Sequence, residues 1–144
     1  MMNIKEIFKG FQAPEKTRTV LVIDDSEMDR RVAASILGKH YHVLLATGGL
    51  EGIALAREKK PDLILLDFMM PLMQGPEVCR ILREDDRTRG IPIVFLTSMD
   101  TPATVIDSFV EGADFFLTKP ISRSELIKQV RTTLETSSNK GAAC

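Results

Sequence analysis

The chain has no tryptophan, one tyrosine, two cysteines and two histidines, and these scarcities exclude several kinds of function. Cys79 and Cys144 have neither the close pairing of a metal site nor the number needed for a disulfide framework. The default compartment is therefore a reducing cytoplasm. Cys144 is the last residue, so it forms no prenylation box. His40 and His42 alternate along one strand start and lack a third ligand, which leaves them without a metal to hold. A net charge of −1 gives no global pull toward nucleic acid or an anionic membrane. No apolar run approaches the length of a membrane span, and no signal-peptide pattern opens the chain. What remains, at 144 residues with 44% hydrophobic and 27% charged, is an ordinary globular composition of one-domain size.

Five short apolar runs organise that composition. Val20 to Ile23, Tyr41 to Ala46, Leu63 to Leu66, Pro92 to Leu96 and Phe115 to Leu117 are too short for helices. Several are apolar throughout, as strands covered on both faces are. Helical patterns separate them. Ser26 opens a helix with Met28, Val32 and Ile36 as its apolar stripe and Gly38 as its stop. Leu50, Ile53 and Ala54 begin a second, weakened by Gly52 and ended before Pro61. Gly75 and Pro76 suit the N-cap and first position of a third, carrying Val78, Ile81 and Leu82. Thr101-Pro102 caps a fourth with Val105, Ile106 and Phe109, and Ser122 with Glu125 caps a fifth bearing Leu126, Ile127, Val130 and Leu134. Alternating strands and helices predict an α/β fold, a doubly wound parallel sheet of five strands with helices on both faces.

In a parallel sheet every carboxyl end lies along one edge. Here those ends carry Asp24-Asp25, Asp67, Thr97 and Lys119, where open α/β sheets place their ligands. Asp85-Asp86, a second acidic pair, comes after a helix and serves as a control that needs no special role. Three carboxylates gathered at one point repel unless a cation joins them, and all-oxygen ligands favour a hard ion such as Mg²⁺. Lys119 can hold a carboxylate or phosphoryl oxygen, and the Thr97 hydroxyl can donate to another. A carboxylate can itself attack phosphorus, giving an aspartyl phosphate.

Four segments in order, each at a strand end, resemble the receiver domain of two-component response regulators, the group that includes the chemotaxis regulator. They are Val22-Ile23-Asp24-Asp25, Asp67-Phe68-Met69-Met70-Pro71-Leu72-Met73-Gln74-Gly75, Phe95-Leu96-Thr97-Ser98, and Gly112-Ala113-Asp114-Phe115-Phe116-Leu117-Thr118-Lys119-Pro120-Ile121. The resemblance implies the flavodoxin-like strand order 2-1-3-4-5. It implies that Asp67 accepts a phosphoryl group from a histidine kinase or histidine phosphotransfer protein. Asp24, Asp25, Asp67 and the Met69 backbone carbonyl would hold Mg²⁺, and Thr97 and Lys119 would contact the phosphoryl oxygens. Phe116 would be the aromatic switch, and Lys119-Pro120 would be joined by a cis peptide bond. The protein would then be no enzyme in the usual sense, catalysing only its own phosphorylation and dephosphorylation.

Two other readings share part of this pattern. A haloacid-dehalogenase-like phosphatase needs a second Asp two residues after its nucleophile, but Asp24 and Asp25 are adjacent and position 26 is Ser. A flavodoxin-like electron carrier shares the sheet order, yet its phosphate loop would be rich in Ser, Thr and Gly rather than acidic. The receiver is expected over residues 19–135, with a loose tail at 136–144 and an N-terminal extension at 1–18. Ile4, Ile7, Phe8 and Phe11 would line one face of a short helix in that extension, free to meet the receiver, a partner or a second copy as a homodimer. A last helix ending near 135 leaves no room for an output domain. The expectation is a stand-alone receiver, or a fragment of a larger response regulator, acting on a downstream protein with no direct contact to nucleic acid or membrane.

Overall fold

Successive side chains of a strand point to opposite faces, so each apolar run divides between two cores. In the computed structural model, which describes residues 17–98, 103 and 112–142, five such strands form one parallel sheet. They are β1 (Thr19–Ile23), β2 (His42–Ala46), β3 (Leu63–Asp67), β4 (Ile93–Thr97) and β5 (Phe115–Thr118), in the order β2-β1-β3-β4-β5. The described helices are α1 (Glu27–Leu37), α2 (Gly49–Lys59), α3 (Gly75–Glu84) and α4 (Arg123–Ala142). Leu21, Ile23, Ile64, Leu66, Ile93 and Phe95 face α2 and α3, where Ile53, Ala56, Val78, Cys79 and Leu82 meet them. Their alternate neighbours Val20, Val22, Leu63, Leu65, Val94 and Leu96 face Ala33, Ile36 and Leu37 of α1 and Leu126, Val130 and Leu134 of α4. The doubly wound sheet and its expected order are both present.

The helices depart from expectation in phase and in length. On α1 the buried positions are Ala33, Ile36 and Leu37, whereas Met28 is 74% exposed and Val32 is exposed too. Ala33, Ile36 and Leu37 stand at i, i+3 and i+4, a complete face built around one small residue. Leu50 opens α2 but is likewise exposed. The N-cap of α3 is Gln74, one residue before the expected Gly75, and Pro76 falls within its first turn, where its missing N–H costs nothing. The last helix does not give way to a loose tail at 136 but continues to Ala142, because each further helical residue adds a hydrogen bond for the backbone it fixes. The amphipathic face at Ile4, Ile7, Phe8 and Phe11 and the helix of Val105, Ile106 and Phe109 lie outside the described residues.

Gly52 does more than weaken α2. A Cβ built there would lie 2.4 Å from Cδ1 and 2.7 Å from Cγ1 of Ile23, a fully buried side chain of β1. Glycine is thus what lets α2 approach the strand that leads into Asp24. On helix propensity alone Gly52→Ala would stabilise the protein by about 1 kcal/mol. We expect it to lower stability by roughly 1–3 kcal/mol, because the added methyl overpacks the core. A urea melt at fixed pH gives the sign.

Candidate functional site

Parallel pairing places the ends of β1, β3, β4 and β5 side by side, and the residues at and just past those ends build one cluster. Carboxylate oxygens of Asp24, Asp25 and Asp67 all lie within 4.8 Å of one another. Asp24 and Asp67 are buried, while Asp25 is exposed and keeps one side of the cluster open to water. Lys119, carried just past β5, reaches into the cluster. Its Nζ stands 2.9 Å from Asp24 Oδ2, 2.8 Å from Asp29 Oδ2 and 3.5 Å from Asp67 Oδ1. Its backbone N–H donates to the Thr97 carbonyl at 2.7 Å, which ties the two strand ends together. Thr97 is buried at the end of β4. The Lys119–Pro120 peptide bond is cis.

The turn after β1 is held by its own side chains. The Ser26 N–H donates to Asp24 Oδ1 at 2.9 Å, and the Asp29 N–H donates to Ser26 Oγ at 3.2 Å, capping α1. The reciprocal arm of a capping box is absent at this turn, because the Asp29 carboxylate has gone to Lys119 instead. Arg30 reaches back to the Asp24 carbonyl with Nη1 at 2.7 Å. After β3, the Met69 N–H donates to Asp67 Oδ1 at 3.3 Å, so the loop wraps the carboxylate. Phe116 is half-buried on β5, packed against the core beneath α2 and α3.

Electrostatics separates this cluster from the other acidic residues. Burial, then the negative charge of Asp24, pushes the Asp67 carboxyl from an ordinary 3.8 up to about 7, against the opposing pull of Lys119. Burial would lower the Lys119 ammonium, but its hydrogen bonds to Asp29 and Asp24 and the charge of Asp67 hold it well above the usual range. Asp85 shows the opposite behaviour: hydrogen bonds from Arg87, and from Arg57 across the helix pair, hold it below the carboxylate range. Asp85 already has its cations. Asp24 and Asp67 share Lys119 with Asp29, so the strand-end carboxylates are short of positive charge, and an all-oxygen set of this kind fits a hard divalent ion.

All the expected site residues of the strand ends thus stand at one edge. Sequence patterning does not single out Asp29 or Arg30. Asp29 reads in the sequence only as part of a helix start, and its spacing from Asp25 is the one signal that could place it over the cluster.

The family model described as "Response regulator receiver domain" matches residues 20–131. Over 116 residues the chain is 36% identical to the protein PilH of Pseudomonas aeruginosa, covering 80% of this chain and 96% of that one. It is 42% identical over 114 residues to the response regulator PleD of Caulobacter vibrioides, covering 78% of this chain but 25% of PleD. It spans about half of RpaA of Synechocystis, which is named a DNA-binding transcriptional regulator, at 38% identity over 81% of this chain. Among solved structures, the chemotaxis protein CheY4 of Vibrio cholerae matches with a TM-score of 0.78 and 30% identity, covering 81% of this chain and 98% of that one. Sheet order, the clustered strand ends and these likenesses agree: the chain belongs to the receiver domain family of the response regulators of two-component signalling.

Proposed function

We propose that Asp67 is the phosphoacceptor of this receiver, taking its phosphoryl group from the histidine of a kinase or phosphotransfer protein. Receiver domains are signalling modules rather than classical enzymes, and they interact with histidine kinases and with downstream targets. One observation carries the assignment to Asp67. It is the buried carboxylate that ends the central strand, raised to about 7, with a lysine ammonium at 3.5 Å and two more carboxylates in reach. In the transfer an Asp67 oxygen bonds to phosphorus as the bond from phosphorus to the donor breaks, its electron pair leaving with the donor.

Receiver domains in general bind Mg²⁺ at an acidic pocket. In this reading Asp24, Asp25, Asp67 and the Met69 carbonyl would hold that ion, and it would supply positive charge to offset the negative charge of the reaction. Lys119 contacts one phosphoryl oxygen and the Thr97 hydroxyl another, each brought to the edge by its strand end. The domain thereby promotes its own phosphorylation and dephosphorylation. Thr97 moving toward the phosphoryl group lets Phe116 turn inward, and the changed surface is what a downstream protein reads. The working unit is residues 19–135, in the cytoplasm, with any DNA contact lying outside it.

Acetyl phosphate with Mg²⁺ is expected to modify Asp67 alone, mapped by mass spectrometry after borohydride trapping, and Asp67→Asn to abolish the adduct. An adduct at another residue, or one retained in full by Asp67→Asn, would refute the assignment.

A further inference from the structure

We infer that Asp29 is a positioning residue that holds Lys119 back from the phosphoryl site, so that it opposes the phosphorylated state. The inference rests on the phosphoacceptor reading of Asp67 and extends it to a residue one helical turn outside the cluster. The Lys119 ammonium has three N–H donors. It lies within hydrogen-bond distance of Asp29 (2.8 Å) and Asp24 (2.9 Å), while Asp67 is at 3.5 Å. One of its two hydrogen bonds therefore goes to a carboxylate that lies outside the acidic cluster.

The tie is a stiff one. Asp29 sits in the first turn of α1, where its N–H is bonded to Ser26 Oγ and the Ser26 N–H is bonded to Asp24 Oδ1. Asp24, Ser26 and Asp29 consequently move as one turn. Both hydrogen-bonded anchors of Lys119 therefore belong to the turn from β1 into α1, not to β3, which ends in Asp67. When Lys119 moves its ammonium onto a phosphoryl oxygen on Asp67, the contact it gives up is the one to Asp29, which is not part of the Asp24, Asp25 and Asp67 cluster. Whatever favours the arrangement without a phosphoryl group counts equally against the arrangement with one.

Asp29 is 31% exposed at its side chain, so replacing it leaves no buried group stranded. A carboxylate that merely supported the local fold would weaken phosphoryl binding when removed, or leave it unchanged. A carboxylate that restrains Lys119 gives the opposite sign. A through-space effect of one lost negative charge would share that sign, and Glu27 is the control. It lies in the same first turn, exposed and paired with Arg31.

The probe is beryllofluoride, a phosphoryl mimic, titrated calorimetrically at saturating Mg²⁺ into wild type, Asp29→Asn and Glu27→Gln. Asp29→Asn is expected to bind it roughly three- to tenfold more tightly, the strength of a partly buried ion pair expressed as affinity. Glu27→Gln is expected to match wild type. Unchanged or weaker binding by Asp29→Asn overturns the inference, and so does an equal gain in Glu27→Gln. If wild type itself fails to bind beryllofluoride, it is the phosphoacceptor reading that falls. Melting curves of both variants exclude a folding defect as the source of any loss.

Discussion

In EDTA at pH 8, Asp67→Asn is expected to melt higher than wild type, and Lys119→Met is expected to melt lower. The opposite signs follow from a cluster with too little positive charge. Asp24 and Asp67 are buried and mutually close, and Lys119 is their shared cation. At pH 8 the metal-free wild type keeps Asp67 ionised above its raised pKa of about 7, a charge that the unfolded chain carries freely. Neutralising it should recover on the order of 2 kcal/mol, or several degrees in Tm. Removing Lys119 instead strands Asp24, whose Oδ2 accepts from that ammonium and whose side chain is fully buried. Breaking a buried pair from one side costs about 3 kcal/mol or more.

The pH dependence has a definite direction. A carboxyl raised in the native state binds its proton there more tightly than when unfolded. Its stabilising contribution is complete below the ordinary 3.8 and is lost as pH rises through about 7. The difference between Asp67→Asn and wild type in EDTA should therefore shrink from pH 8 to pH 5. Mg²⁺ at about a hundred times Kd should reverse the ranking, since binding the native state alone then gains about 2.7 kcal/mol. Melts with EDTA and with Mg²⁺ at matched ionic strength would measure all of this. Should Asp67→Asn melt below wild type in EDTA at pH 8, the carboxylates do not repel as described.

Much of the site was legible because of how strands present their ends. Leu63 to Leu66 is apolar throughout since both faces are covered, so its boundary with Asp67 is sharp in sequence and in structure. Parallel pairing then carries Asp24, Asp67, Thr97 and Lys119 to one edge whatever the details of packing. Helices give weaker information. A rotation of one residue changes which side chain faces inward, and α1 is short enough that Met28 and Val32 compete with Ala33 and Leu37 for the stripe. The same uncertainty of phase hid Asp29, whose side chain meets a lysine 90 residues away. Gly52 and Gly75 were legible as a helix weakener and a helix start, but their work lies in what a methyl group would touch.

Gly75 is where that contact matters most for function. A Cβ there would lie 2.3 Å from the Asp67 carbonyl oxygen and 2.9 Å from both Phe68 Cα and Phe95 Cε1. Two of those atoms are backbone, and Phe95 is fully buried, so neither side can yield by turning a flexible chain end. The Gly75 N–H also donates to the Phe68 carbonyl at 3.0 Å, which fixes the start of α3 against the loop. Gly75→Ala must therefore displace the peptide that carries Asp67. A loss of about 3 kcal/mol is expected, at the upper end of overpacking effects. Phosphorylation by acetyl phosphate should fall roughly a hundredfold, the effect of misplacing a reacting group by about 1 Å. Gly48 provides the comparison: its φ of −172° is extended backbone, and a Cβ there meets nothing within 4 Å. Gly48→Ala should stay within about 0.5 kcal/mol of wild type and keep its phosphorylation rate. If Gly75→Ala instead melts and reacts like Gly48→Ala, the close approach of α3 to the Asp67 peptide is not what holds the site in place.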